Sequence, residues 1–431
     1  MSELNFYYDG SRYHLDTGTE FVPMDQRSVV RQMKGRGLGG DEIEAALNRI
    51  QVERYVSYAG PLAGHQRGMH ETSGKKLLAT SSPAIIHAKP GKWPTLRAVI
   101  EGLIGNDPDV GKRQVTTFMA WLKVARESLV HGSRRPGQAL VLAGPRNSGK
   151  SLLIDIVELA LGGRRSNPYP HFSGSTGFNS DLAGAELLAI DDEAGSTDIR
   201  SRRNLGASIK SSLFSGAVRI EGKFRDGFTF RPCWRLMLAC NDEPENLLVI
   251  PPLTEDIADK VTLFRCHKRP LPMAAHTLEE REAFFATLRE ELPAMLAELV
   301  SLTIPADLHD DRCGVTFFHH PELLTALGEL APETALLSLV DSLADAGRLA
   351  LPWTGTAREL KGVLTSDQTT SRDADKLLGG WTMATGTYLG RLTGERVEKL
   401  TIRRGDQHWR IRARSSEGGV VDQVEHLTRE G

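Results

Sequence analysis

Gly144-Pro145-Arg146-Asn147-Ser148-Gly149-Lys150-Ser151 decides the fold. The octet satisfies G-x-x-x-x-G-K-[ST], the phosphate-binding P-loop pattern. Each fixed position has a chemical reason. Gly144 and Gly149 let backbone N–H groups curl around phosphate oxygens, with Pro145, Arg146, Asn147 and Ser148 completing the cradle. Lys150 reaches the β- and γ-phosphates, and Ser151 offers its hydroxyl to Mg²⁺. Ala139–Ala143 before the octet reads as a buried strand. Leu152–Leu161 after it reads as a helix whose positive N-terminal end faces the anion. An ATP–Mg²⁺ site on an α/β P-loop fold is the expectation.

Working outward, Leu187-Leu188-Ala189-Ile190-Asp191-Asp192-Glu193 is an apolar strand ending in carboxylates. Such a strand delivers Asp191 beside Ser151, where the pair holds Mg²⁺. A neighbouring carboxylate orients and deprotonates the attacking water; Asp192 is the first candidate and Glu193 the second. Arg235-Leu236-Met237-Leu238-Ala239-Cys240-Asn241 is a third strand with a polar residue at its carboxyl end. Open parallel sheets bind ligands at that edge, so Asn241 is placed to sense the γ-phosphate and the water. Apolar strands alternating with helices predict a parallel sheet with helices on both faces.

The chain has 431 residues, room for two to four domains. Apolar residues make up 40%, and glycines bring the total to about half, which excludes a fibrous or disordered chain. Cys233, Cys240, Cys266 and Cys313 are scattered without a CxxC pair. Neither a disulfide framework nor a zinc site is expected, and reduced thiols suit a cytoplasmic protein. The first residues carry no basic-then-apolar leader, and no run approaches 18 apolar residues, so no membrane partner is expected. Net charge is −2, which leaves nucleic-acid binding to local basic patches.

Residues 1–90 read as a small α+β domain: a hairpin over Phe6–Leu15, helices from Asp25 to Lys34 and Asp41 to Val52, then short strands within 55–86. Residues 91–137 are helical (Trp93–Gly105, Arg113–Val130) and lead into a core over 138–275. Residues 276–318 form a helical connector, with the acidic helix over Thr277–Thr303. In 319–416, helices over Glu322–Leu330, Pro332–Ala346, Thr356–Leu364 and Thr385–Leu392 precede a hairpin of Val397–Arg404 and Gln407–Arg414. That order predicts a winged-helix-like DNA-binding domain, with 417–431 as a tail. From Arg396 to Arg414 seven basic residues stand against two acidic ones, an electrostatic footprint of phosphate binding. Thr385–Leu392 would enter the major groove, and Arg403 and Arg404 would lie in the wing. A protein-binding winged helix, or a charged edge strand that resists aggregation, is the alternative.

The three strand-end motifs together resemble those of superfamily 3 helicases, the AAA+ group of small DNA viruses, phages and plasmids. The resemblance is closest to the helicase half of phage and plasmid primase–helicases. The family's P-loop commonly reads GPxNxGKS, and here it reads GPRNSGKS. Its second motif ends in paired acids, here Asp191-Asp192, and its third in Asn, here Asn241. Gly144 to Asn241 spans 98 residues, a similarly compact stretch. The resemblance covers about residues 93–272. It implies an AAA+ sheet, ATP and Mg²⁺, and a homo-hexamer unwinding single-stranded or forked DNA in replication of a mobile element.

It also implies a hairpin before the third motif whose basic tip contacts single-stranded DNA. Val218/Ile220 and Phe228/Phe230, alternating around a glycine tip, read as a hairpin on their own account. Lys223 and Arg225 would track phosphates, and Phe224 would stack on a base. One departure stands out. The family carries an arginine finger shortly after the Asn, but residues 252–256, Pro-Leu-Thr-Glu-Asp, include no cation. Lys260 and Arg265 are the nearest candidates for the trans-acting charge, with Arg202, Arg203 and Lys210 facing a neighbour's nucleotide or the DNA. The first 90 residues show no primase carboxylate cluster, and His65, His70 and His87 lack metal-ligand spacing, so priming would come from a separate primase. The rival function is a non-unwinding AAA+ DNA-binding ATPase: a loader, a scaffold or a defence switch.

Overall fold

The computed structural model describes residues 5–191, 199–223, 226–379, 382–394, 396–402 and 406–414. The chain divides into two compact units, 1–197 with 201–324, and 198–200 with 325–431. In the first unit the P-loop strand Ala139–Ala143 is buried at every residue, as is Arg235–Cys240. A continuous apolar run is what a strand covered on both faces requires. Five parallel strands line up in the order Val261–Arg265, Ala139–Ala143, Arg235–Cys240, Leu187–Asp191, Arg165–Ser166. Ala143 lies beside Cys240 on one side and Arg265 on the other, and Asp191 lies beside Ala239. The strand that leads to Asn241 is therefore inserted between the P-loop strand and the acidic strand, and all three motif ends share one edge.

Helix Lys150–Ala160 packs its Leu153, Ile154 and Val157 into the main core. Phe118 and Trp121 of helix Gly111–Val130 and Leu292 and Met295 of helix Leu278–Ser301 join them there. Each such leucine contributes about 1.5–3 kcal/mol through burial. The acidic helix starts where a reciprocal capping box allows: Thr277 accepts from the Glu280 N–H while Glu280 reaches back to the Thr277 N–H.

Ahead of the core, Phe6–Tyr8, Tyr13–Asp16 and Phe21–Met24 form an antiparallel sheet, one strand more than the expected hairpin. Helices Gln26–Gly35 and Gly40–Glu53 follow. The Asp25 carboxylate caps the first of them by accepting from the Ser28 N–H at 2.7 Å. The short strands expected in 55–86 make a mixed sheet in the order Tyr58–Gly60, Lys75–Ala79, Gly68–Thr72.

In the second unit, helices Pro332–Asp345, Ala357–Ser366, Ser371–Leu378 and Ala384–Arg391 share a core that includes Leu336, Val340, Leu360, Tyr388, Trp409 and Ile411. Its sheet has His408–Ile411 at the centre, antiparallel to both Val397–Lys399 and Trp353–Thr356. The expected C-terminal hairpin is present with shorter strands. Strand Trp353–Thr356 and helix Ser371–Leu378 escape the sequence pattern. The strand is too short to show a period, and the helix buries only Ala374 and Leu378. Among the described residues, no single helix is long and apolar enough to cross a membrane.

Candidate nucleotide site and nucleic-acid surfaces

The P-loop backbone explains its residues. A Cβ on Gly144 would lie 2.4 Å from the Cys266 carbonyl oxygen, so only glycine fits beneath the segment that leaves the last core strand. Asn147 (φ 59°) and Gly149 (φ 106°) both adopt left-handed backbone, which bends the loop into a concave cradle. The cradle opens onto the N-terminus of helix Lys150–Ala160. Lys150 is 6% exposed. Its ammonium donates to the Gly144 carbonyl at 2.8 Å, the Pro145 carbonyl at 2.9 Å and Asn241 Oδ1 at 3.2 Å. Ser151 Oγ donates to Asp191 Oδ1 at 3.2 Å. Ser148 Oγ is buried with no hydrogen-bond partner. Burial pushes the Cys266 thiol well above its usual range, so a neutral group flanks the loop.

A cleft of about 690 Å³ runs from this loop. That size suits a nucleotide-sized ligand. P-loop residues 146–151, Leu152 and Asn241 line one side, and Arg269, Leu271, Arg281 and Phe285 are among those lining the other. The sequence motifs do not reach this second wall. Arg269 arrives there because the strand exit is tied down, with the Cys266 N–H donating to the Ala143 carbonyl at 2.7 Å and the His267 N–H to the Leu103 carbonyl at 2.8 Å. Arg281 sits in the first turns of the acidic helix, and its guanidinium donates to the carbonyls of Ala275 and His276, both at 3.2 Å. Phe285 and Leu271 are exposed apolar side chains at the cleft, 39% and 44% accessible. The only sequence signal was the capping box at Thr277; nothing local says that the helix returns to the P-loop.

The candidates for a trans-acting cation separate. Lys260 immediately precedes its strand and so stands at the sheet edge opposite the P-loop. It is buried, donates to Asp259 at 2.5 Å and lies 5.5 Å from the Phe214 ring centre. The structure does not bring it to the cleft. Arg265 ends the same strand beside Ala143, at the P-loop edge, and is ion-paired with Glu322. Arg202 is buried and donates to the Ile250 carbonyl, while Lys210 pairs with Asp256 at 3.0 Å. Arg203 is partly buried on the same helix. Asp192 and Glu193 lie outside the described residues.

Val218–Ile220 and Phe228–Phe230 form the expected hairpin, with Val218 opposite Phe230 and Ile220 opposite Phe228. Lys223 is exposed in the connection; Phe224 and Arg225 lie outside the described residues, as do Arg403 and Arg404 in the second unit. The C-terminal arginines are not the open basic face that their count suggests. Arg396 and Arg414 both donate to Asp341, at 2.6 and 2.7 Å, and Arg410 and Arg412 both pair with Glu398, at 3.2 and 3.1 Å. Burial alone would raise the Asp341 carboxyl, but the hydrogen bonds from Arg396 and Arg414 outweigh it and hold that carboxyl below its ordinary range.

The sequence model of a family of unknown function, DUF5906, matches residues 142–252, the stretch from the P-loop strand to just past Asn241. None of the curated proteins matches the chain. Among solved structures, the apo NrS-1 C-terminal region (305–718) aligns over 95% of both chains at 13% identity with a TM-score of 0.56. Its A form aligns over 95% of this chain and 96% of that one, at 11% identity with a TM-score of 0.52. The SCCmec type IV Cch active helicase aligns over 90% of this chain and 72% of that one, at 10% identity; its TM-score of 0.31 is too low to bear on the fold. The chain thus shares its fold, over nearly its whole length, with the NrS-1 C-terminal region.

Proposed function

We propose that this chain is an ATP-dependent DNA helicase of the superfamily 3 type, assembling as a hexameric ring on single-stranded or forked DNA in replication of a phage, plasmid or other mobile element. The observation that carries the reading is the meeting of Lys150, Ser151, Asp191 and Asn241 at one sheet edge, through the 3.2 Å contacts of Lys150 with Asn241 and of Ser151 with Asp191. The residues present fit Mg²⁺ and phosphate. Ser151 Oγ and Asp191 Oδ1 are hard oxygen donors, and the partnerless Ser148 Oγ is a group that a phosphate oxygen would satisfy. When bound, Mg²⁺ neutralises charge on the β- and γ-oxygens. Lys150 holds the γ-phosphoryl group, and Asn241 positions the attacking water. Asp192, with Glu193 as the alternative, takes the proton as the water oxygen bonds to phosphorus and the nucleoside diphosphate leaves. Phe285 and Leu271 seat the base. Arg269 and Arg281 add positive charge from the same subunit, and Lys260 or Arg265 would supply the trans-acting charge to a neighbouring subunit's nucleotide.

The hairpin just before the third motif, with Lys223 exposed in its connection, supports the DNA part of the reading. In the second unit, a three-stranded antiparallel sheet with Ala384–Arg391 packed on it supports a winged-helix-like domain. Priming is assigned to a separate protein. A second reading is a non-unwinding AAA+ DNA-binding ATPase, a loader, scaffold or defence switch; the internal pairing of four C-terminal arginines fits a C-terminal unit used for assembly. ATP hydrolysis with and without single-stranded DNA, in the parent and in Lys150→Ala, tests the first reading together with electron microscopy on forked DNA. Rings and DNA-stimulated hydrolysis are expected. Hydrolysis unaffected by Lys150→Ala removes the site; DNA-independent hydrolysis without rings selects the second reading.

A further inference from the structure

Among the described residues, strands Val218–Ile220 and Phe228–Phe230 form a separate two-stranded sheet with no strand partner in the five-stranded core. Its position is therefore set by whatever grips it from outside. Two grips are visible, one at each foot of the segment from Glu221 to Gly227. At the first foot stands Asn179, 4% exposed. Its N–H donates to the Glu221 carbonyl at 3.1 Å, its Oδ1 accepts from the Glu221 N–H at 2.7 Å, and its Nδ2 donates to the Arg219 carbonyl at 3.0 Å. At the second foot, Lys75 Nζ donates to the Gly227 carbonyl at 2.7 Å. Lys75 belongs to the N-terminal sheet Tyr58–Ala79, just past the Ser73-Gly74 turn.

The same sheet also carries the apolar side of the hairpin. Phe228 and Phe230, two apart on one strand, share a face and are both buried. The Phe228 ring meets Tyr58 at 4.6 Å between centres, and Phe230 meets His65 at 5.7 Å. The sheet is in turn fastened to the core near the start of the acidic strand. The Gly64 N–H donates to Glu186 at 2.8 Å, Glu186 is ion-paired with Arg164, and Arg164 donates to the Leu62 carbonyl at 3.2 Å. The Ala63 N–H donates to the Ala183 carbonyl at 2.7 Å. Gly64, at φ 76°, lies so close to Cys233 that a Cβ would come within 2.6 Å of the cysteine Cβ. Residues 58–79 are thus fixed at one end to the ATPase sheet and at the other to the hairpin.

We infer that the N-terminal sheet Tyr58–Ala79 is a bracket that fixes the hairpin on the ATPase core, with Lys75 and Asn179 as positioning residues at the two feet of its tip segment. The consequence drawn for DNA rests on the proposed helicase reading; the bracket itself does not. Without the Lys75 anchor the Gly227 foot loses its charge-assisted bond, so Lys223 is no longer presented at a fixed place. Binding of a strand would then be registered poorly at the nucleotide edge, while the P-loop, which Lys75 does not touch, works as before.

The test uses the full chain with Lys75→Met, which keeps the aliphatic stem and removes the donor, and Lys75→Arg, which restores a donor. Amide hydrogen exchange over 218–230 is expected to speed up at least fivefold in Lys75→Met and to return towards the parent in Lys75→Arg, with exchange in 139–143 and 235–240 unchanged. Stimulation of ATP hydrolysis by oligo-dT is expected to fall at least threefold in Lys75→Met, with basal hydrolysis within twofold of the parent. Asn179→Asp keeps the acceptor for the Glu221 N–H and removes the donor to Arg219, and should reproduce the exchange effect at the other foot. Unchanged hairpin exchange in both Lys75→Met and Asn179→Asp overturns the bracket. A direct DNA contact is the competing role for Lys75. It would lower the log–log salt slope of oligo-dT binding by about 0.7 in Lys75→Met while hairpin exchange stays at the parent's rate, and that outcome also overturns the bracket. If the parent shows no stimulation by DNA, the helicase reading fails while hydrogen exchange still decides the bracket.

Discussion

Two basic regions of this molecule differ in how their charge is partnered. The P-loop has Lys150 and the C-terminal hairpin has Arg396, Arg410, Arg412 and Arg414. Lys150 is buried, yet its partners are two loop carbonyls and a neutral amide, so among the described residues no carboxylate is in direct contact with it. The hairpin arginines are more exposed, yet each is paired with Asp341 or Glu398. Among the described residues, a phosphate meets unspent charge in the first region and four arginines already paired in the second. Spacing tied to a backbone cradle thus identifies a ligand site, whereas a count of arginines identifies only charge that some carboxylate elsewhere in the chain can claim.

The strongest way to break this contrast is Lys150→Ala. The ammonium neutralises the transferred phosphoryl group at a pre-organised site, so hydrolysis should fall about 10²–10³-fold or more, measured as phosphate release at saturating ATP. Retention of even a tenth of the parent rate would dissolve the distinction. Next, Asp192→Asn should retain nucleotide binding, followed by fluorescence of a labelled analogue, while turnover drops about 10²–10⁴-fold through loss of the base. If Glu193→Gln shows that pattern and Asp192→Asn does not, the two carboxylates exchange roles.

Smaller effects sharpen the other side. Asp341→Asn should destabilise the C-terminal unit by about 2–3 kcal/mol, less than a fully buried pair because Arg414 is largely exposed, read from its unfolding transition in urea. The sign with pH follows from the same contacts. The folded-state pKa of Asp341 is depressed, so its stabilisation is complete above the unfolded value, about 3.9, and is lost as pH falls through the folded value. Melting of that unit should therefore drop more steeply below about pH 4 in the parent than in Asp341→Asn. The least change is expected from Arg410→Ala with Arg412→Ala. Because Glu398 already engages both, the salt slope of duplex binding should shift by less than one unit, against about 1.8 if both contacted phosphate. The larger shift would restore the hairpin as a DNA-binding face.

Much of the P-loop core was legible because its signals are local. A buried strand, a glycine-bounded turn and a helix follow one another within Ala139–Ala160, and their geometry is dictated by residues a few positions apart. The same locality made the Val218–Phe230 hairpin and the Thr277 helix start readable. Lys260 shows where locality fails. Its sequence distance from Asn241 said nothing about the edge of the sheet at which it stands, because that depends on whether it precedes or follows its strand.

The sequence alone determined which residues can cradle a phosphate, since the left-handed turns at Asn147 and Gly149 and the lysine that follows are properties of one short segment. Only the tertiary structure decided which other groups face that phosphate and which charges are already taken. Arg281 and Phe285 reach the cleft through packing of a helix more than a hundred residues downstream, Arg269 through the tied-down exit of the last core strand, and Arg396 finds Asp341 across 55 residues of chain. Lys75 meets Gly227 across 152. Contacts of that range follow from how whole elements bury their apolar faces against one another, a condition that no local pattern of residues encodes.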